Sequence, residues 1–312
     1  MADSSSTESA ASRYAKLSVL LLFAIPSACC SIYNIYSAIR YSLLRRYFYY
    51  QLLILINFIV LCSIILNITI SMSFYARGYI QPQTIQFCRY WKYVDYITTG
   101  CTIWCNAIFT IERHLLVFYP QYLRSQRQKL VLHYLPIIFV HFYIIIFYLY
   151  TICIRSCDVP FDFTEHLCGE DCIEVIHELA LFNWFFNVLF PVFIVIIGSC
   201  VLLIRVLWAR RIMQRNLRNW SKNWKMIVQL LGIATIYSLV WLPLATTSLV
   251  AIFKNDDNLR TITDTYLYYL TYLSDMCIPI VVLIFSPEIN RRLVRRVRPT
   301  MVTSMASKDT VD

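Results

Sequence analysis

The chain has 312 residues, of which 59% are hydrophobic, 16% aromatic and only 15% charged, with a net charge of +10 and five glycines. No water-soluble core of that length hides so much apolar surface, so the composition excludes an ordinary soluble domain and points to a membrane. The cationic balance needs no nucleic-acid partner, because the basic residues are sorted by side of the membrane.

Residues 1–16 are polar and short, and no separate signal peptide precedes the first apolar stretch, which then acts as its own start signal. Seven apolar stretches follow, near 17–39, 48–75, 88–117, 130–153, 180–207, 224–253 and 264–286. Each reaches the roughly 20 residues that cross a bilayer as a helix. Plentiful Leu and Ile with weak alternation argue for helices and against barrel strands. The fold predicted is therefore all-α, a seven-transmembrane helix bundle over 17–286. Twenty of the 28 Lys and Arg residues fall on one side, in Arg40–Arg46, Arg113–Lys129, Arg205–Lys225 and the segment after Ser286. By the positive-inside rule that side is cytoplasmic, which leaves the N-terminus outside and 299–312 as a cytoplasmic tail. No internal repeat supports an inverted-repeat transporter.

The third stretch carries the most information. Cys88 and Arg113 are 25 residues apart, roughly 37 Å of helix, so one stands at each face of the bilayer. Asp95 and Arg113 are 18 residues apart, about five turns, and point the same way. An acid in apolar surroundings must look into the bundle, so function is expected along that face. Asp275 in the last stretch is a second intramembrane acid, read as a polar-network partner of Asn57.

The loop between the fourth and fifth stretches holds Asp158, Asp162, Glu165, Glu170, Asp171, Glu174 and Glu178 against Arg155. It is either a mouth that attracts cations or simply a solvated acidic loop. Cys88, Cys153, Cys157, Cys168 and Cys172 lie at or near this oxidising face. A bridge from Cys88 to Cys172, or alternatively to Cys168, ties the loop across the bundle, and a Cys157–Cys168 bridge is compatible with the first pairing. Connectivity stays open from sequence. Asn67-Ile68-Thr69 and Asn219-Trp220-Ser221 match the glycan acceptor pattern but fall inside the membrane and in the cytoplasm, so neither is expected to be modified.

Glu112-Arg113-His114 followed by Tyr119-Pro120, Tyr237-x-x-Val240-Trp241-Leu242-Pro243, Phe190-Pro191, and Leu53 with Asn57 form an ordered set of motifs. The chain thereby resembles a rhodopsin-like (class A) G-protein-coupled receptor, over all seven spans and a short amphipathic eighth helix at 287–298. It is a divergent one. Asn57 replaces an aspartate, and Cys277-Ile278-Pro279-Ile280-Val281-Val282 stands where the family has Asn-Pro-x-x-Tyr.

The resemblance implies a plasma-membrane receptor that binds an extracellular ligand and activates heterotrimeric G proteins. Glu112, Arg113, His114, Tyr237 and Pro243 would carry activation, with Arg113 pairing with Glu112 at rest and Pro243 kinking the sixth helix for its outward swing. Asp95 occupies the position that holds a ligand ammonium in amine receptors, with Tyr272 supporting its carboxylate. Asn183, Asn187, Trp241, Ser248 and Tyr268 complete the ligand set. That pattern suggests a cationic small molecule or basic peptide; the rival readings are a neutral or lipid ligand with Asp95 structural, and a seven-span transporter or channel. The basic segment from Trp208 to Asn223 reads as an anchor to anionic lipid or a G-protein contact, and the tail as a target for kinases and arrestin. No metal-ligand cluster, phosphate loop or nucleophile triad is present, so no cofactor, metal or enzymatic activity is expected.

Overall fold

A computed structural model describes residues 9–40, 48–119, 121, 125–155, 157, 160–212, 217–254 and 256–285. The expected eighth helix and tail lie outside the described residues. Seven long helices account for nearly all of them: α1 (Ala10–Arg40), α2 (48–77), α3 (Ile85–Phe118), α4 (Gln126–Ile154), α5 (177–212), α6 (Leu217–Lys254) and α7 (257–285). No strand occurs among the described residues. α1 packs on α2 and α7, α6 joins α5 to α7, and α3 runs through the middle against α2, α4 and α5.

Six of the seven are long and apolar enough to cross a membrane on composition alone. α3 is more polar, carrying Arg89, Lys92, Asp95, Glu112 and Arg113. Its central position explains the difference, since Lys92, Asp95, Glu112 and Arg113 are all at most 2% exposed, covered by protein in place of lipid. α1 starts at Ala10, inside the segment expected to be a polar N-terminal tail. Lys16 is the reason. Its ammonium donates to the Thr265 carbonyl at 2.7 Å and sits within 6 Å of the rings of Tyr75, Tyr266 and Tyr269, a cation–π cage that tethers the extra turns to α2 and α7.

Several helices contain a π turn: 64–68 in α2, 183–189 in α5 and 263–267 in α7 among them. Such a turn spends an extra residue and rotates everything beyond it by roughly 100° relative to a regular helix. Counting by 3.6 across these points therefore misplaces side chains.

The α4–α5 loop folds over one end of the bundle. Ile80 donates to the Phe163 carbonyl at 2.9 Å and Asp162 to that of Cys168 at 3.1 Å. Leu167 and Cys168 both take positive φ, 56° and 61°, a conformation that costs energy for residues with a Cβ and here reverses the chain above α3. Cys168 thereby meets Cys88, with Cα atoms 5.9 Å apart. Cys172 opens a helical turn capped by Asp171, whose carboxylate accepts from the amides of Ile173 and Glu174, and that turn points it back to Cys157 at a Cα distance of 5.8 Å. Of the two partners the sequence left for Cys88, the alternative, Cys168, is the one found, and the preferred Cys88–Cys172 and the Cys157–Cys168 bridge are corrected to Cys88–Cys168 and Cys157–Cys172. Reversal at 167–168 sends the two loop cysteines in opposite directions.

Candidate functional site

At the Cys88 end, α2, α3 and α7 converge on Asp95, which is fully buried. Its carboxylate accepts hydrogen bonds from Asn67 at 2.6 Å, from Tyr272 at 2.9 Å and from Tyr268. Asn67 is oriented in turn by the Trp91 indole, which donates to its carbonyl oxygen at 2.9 Å. Three donors from two other helices satisfy the acid without a counter-cation. His166 closes the cluster from the loop, its ring stacked on Tyr75 and packed against Phe74, Trp91 and Tyr272, with Nε2 3.5 Å from the Tyr272 hydroxyl. Burial, with Lys16 and Lys92 nearby, pushes the imidazole down to about 3, so His166 stays neutral at physiological pH.

Sequence reasoning brought Asp95, Tyr268 and Tyr272 together but passed over Asn67, Lys92 and His166. Asn67 figured only as a glycan acceptor, although an amide in the middle of an apolar run is itself a sign of an interhelical bond. Lys92 donates to the Gly169 carbonyl at 2.5 Å and stands 3.7 Å from Asp171, so it holds the loop down and leaves Asp95 to its neutral partners.

Asn183 and Asn187, expected in the ligand set or as an interhelical link, bond to each other and to α4. Asn183 accepts from Tyr148 at 2.9 Å and from Asn187 at 3.0 Å, and Asn187 accepts from Tyr143 at 2.8 Å. Both amides thus bond to tyrosines of α4. Both lie within the π turn at 183–189.

On α6, Trp241 and Ser248 are two turns apart and share a face. Both are buried, and neither the Trp241 indole nitrogen nor the Ser248 hydroxyl has a hydrogen-bond partner among the described residues. Ser248 lines a small, partly open cleft with Glu174, Trp184, Arg260, Thr263 and Asp264. Glu174 accepts from Tyr96 at 3.0 Å, and burial, reinforced by Asp171, holds its carboxyl well above the usual range. Arg260 is turned to Glu170 at 2.5 Å.

Below Trp241 a second polar chain crosses the bundle. Asn106 of α3 donates to the Tyr237 hydroxyl at 2.8 Å, and that hydroxyl donates to Asp275 of α7 at 3.3 Å. Asp275 was expected to partner Asn57. Instead Asn57 accepts from Asn34 of α1 at 2.9 Å, and Asn34 also donates to the Pro279 carbonyl at 3.1 Å. The pairing follows the ring order, because α1 lies beside both α2 and α7. Asn34, a lone amide in an apolar span, went unread for the same reason as Asn67.

At the Arg113 end, Glu112 is bound to His133 of α4, Nδ1 to Oε1 2.5 Å, where the resemblance leads one to expect its neighbour Arg113. The Arg113 guanidinium lies over the Phe109 ring at 4.4 Å. His114 Nε2 meets the Gly198 carbonyl of α5 at 2.6 Å. Pro243 sits inside α6, where its missing amide leaves the Leu239 carbonyl without its helical donor, and the Thr246 and Thr247 hydroxyls donate to the Leu242 and Pro243 carbonyls at 2.8 Å.

A central charged helix in a seven-helix apolar bundle, with polar networks at both ends and a disulfide-pinned loop over one of them, defines a multi-pass membrane receptor. Residues 32–281 match the family model described as 7 transmembrane receptor (rhodopsin family), and the chain belongs to that family. No individual curated protein matches it.

Proposed function

We propose that the chain is a plasma-membrane receptor with its N-terminus outside, which responds to a cationic extracellular ligand, a small amine or basic peptide, by promoting nucleotide exchange on heterotrimeric G proteins. One observation carries this reading: α3 is tied to α7 at Asp95, to α6 and α7 through Asn106–Tyr237–Asp275, and to α4 at Glu112. A ligand that moves α6 or α7 at the Cys88 end must repack the middle network, and Arg113 lies on the same helix at the far end. Such a linked set of contacts suits a two-state element that differential ligand binding can bias.

A second reading, a neutral or lipid ligand with Asp95 purely structural, draws support from the three protein donors that already occupy that carboxylate. Reconstitution of the purified chain in vesicles with G protein tests the reading. Nucleotide exchange without solute flux is the expected result, and flux without exchange would establish the transporter alternative. An agonist whose affinity is equal for the native chain and Asp95→Asn would assign Asp95 a structural role for that ligand.

A further inference from the structure

We propose that His166 is a built-in occupant of the bundle: the α4–α5 loop seats its own imidazole in an aromatic cage shared by α2, α3 and α7, and the seated ring holds α7 against α2 and restrains the resting receptor. The effect on signalling rests on the receptor reading. The occupancy does not.

Tyr75 of α2 stacks on the imidazole at 5.6 Å with the planes 13° apart, while Phe74 of α2, Trp91 of α3 and Tyr272 of α7 meet it edge-on at 5.7, 5.2 and 5.9 Å. Ring pairs at such separations attract beyond the area they bury. Each of those four rings is at most 4% exposed, so an empty cage would leave apolar surface without partners inside the bundle. The polar side matches too. The Tyr272 hydroxyl gives its proton to Asp95 at 2.9 Å and has His166 Nε2 3.5 Å from its oxygen, so an N–H at that nitrogen completes the hydrogen bonding of the tyrosine.

The loop is built to keep the ring there. Cys168, two residues on, is bridged to Cys88 of α3, and Lys92 of α3 donates to the Gly169 carbonyl. Leu167 and Cys168 take left-handed φ of 56° and 61°, a cost that persists only where the surroundings over-determine it. The Tyr75 ring also carries the Lys16 ammonium of α1 at 5.5 Å and meets Tyr269 of α7 edge-on at 6.0 Å, so the imidazole reinforces a contact that already joins α1, α2 and α7. Farther along α7, Asp275 ends the Asn106–Tyr237–Asp275 chain to α3 and α6. A side chain that fixes α7 at the Cys88 end therefore resists repacking of the middle network.

Refilling the cage tests the proposal without G protein. Full-length, tag-free His166→Ala in lipid nanodiscs is followed by amide hydrogen exchange at pH 8, where free imidazole is largely uncharged. Exchange in residues 264–276 of α7 should be roughly tenfold faster than in the native chain, because lost contacts raise the population of local openings. Imidazole at about 10 mM, suited to so small a ligand, should return it toward the native rate and leave the native chain unchanged. His166→Phe keeps a ring in the cage, so it should retain most of the protection and gain none from imidazole. A His166→Ala chain that folds only with imidazole present supports the inference equally. Ligand-independent nucleotide exchange on G protein should rise in His166→Ala and fall again with imidazole. Unchanged α7 exchange in His166→Ala, no recovery with imidazole, equal protection of the native chain, or a fall in ligand-independent nucleotide exchange would overturn the inference. Absence of nucleotide exchange with both chains would count against the receptor reading alone, and amide exchange still decides the occupancy.

Discussion

Glu112 of α3 and His133 of α4 meet at 2.5 Å, both buried, and Gln51 of α2 stands 3.2 Å from the other nitrogen of the same imidazole. One ring thus joins three helices immediately beside Arg113. Replacing it with Phe keeps the volume and removes both polar contacts, leaving a buried carboxylate short of a donor, at a cost of about 1–3 kcal/mol. His133→Phe should lower the midpoint of thermal unfolding and raise ligand-independent nucleotide exchange, because Glu112 is then free to move. An unchanged midpoint would show that the pair contributes nothing.

Asp95 should act as a structural hub. Asp95→Asn turns one acceptor oxygen into a donor facing three donors, so at least one of Asn67, Tyr268 and Tyr272 loses its partner, at about 1–3 kcal/mol. Tyr272→Phe removes a single bond and should cost less, about 0.5–1.5 kcal/mol. Thermal unfolding of the two variants gives the order, and a larger loss for Tyr272→Phe would contradict the network.

Non-reducing peptide mapping should recover Cys88 linked to Cys168 and Cys157 linked to Cys172. The first closes 80 residues and the second 15, so on chain-entropy grounds the losses on removal are about 4.5 and about 3 kcal/mol. Cys88→Ala and Cys168→Ala should therefore impair surface expression equally, and each more than Cys157→Ala. A Cys88–Cys172 peptide would reverse the assignment.

The pH dependence follows from Glu174. Burial, with Asp171 beside it, raises its carboxyl from 4.5 to about 8, so the folded chain keeps a proton that the unfolded chain releases. Its contribution to stability is fully present below about pH 4.5 and is lost as pH rises toward 8. The midpoint of thermal unfolding of the native chain, taken relative to Glu174→Gln, should therefore fall between pH 6 and 9, and a difference that does not change with pH would mean that Glu174 keeps no extra proton in the folded chain.

Hydrophobic runs and the placement of Lys and Arg were enough to show seven helices, because a bilayer dictates length and apolarity one segment at a time. The polar residues at Asp95, Tyr272, Tyr237 and Asp275 were visible too, as exceptions within those runs. Their partners were not, since a partner lies on another helix and depends on which helices are neighbours: Asn57 went to Asn34, Asp275 to Tyr237, and Glu112 to His133. Asn183 and Asn187, within the π turn at 183–189, found Tyr148 and Tyr143 of α4, partners with no mark in the residue spacing. Positive φ at Leu167 and Cys168 decided which loop cysteine meets Cys88 and carried His166 into the bundle. Periodicity is a property of one helix, whereas pairing is a property of packing, and only the assembled bundle specifies it.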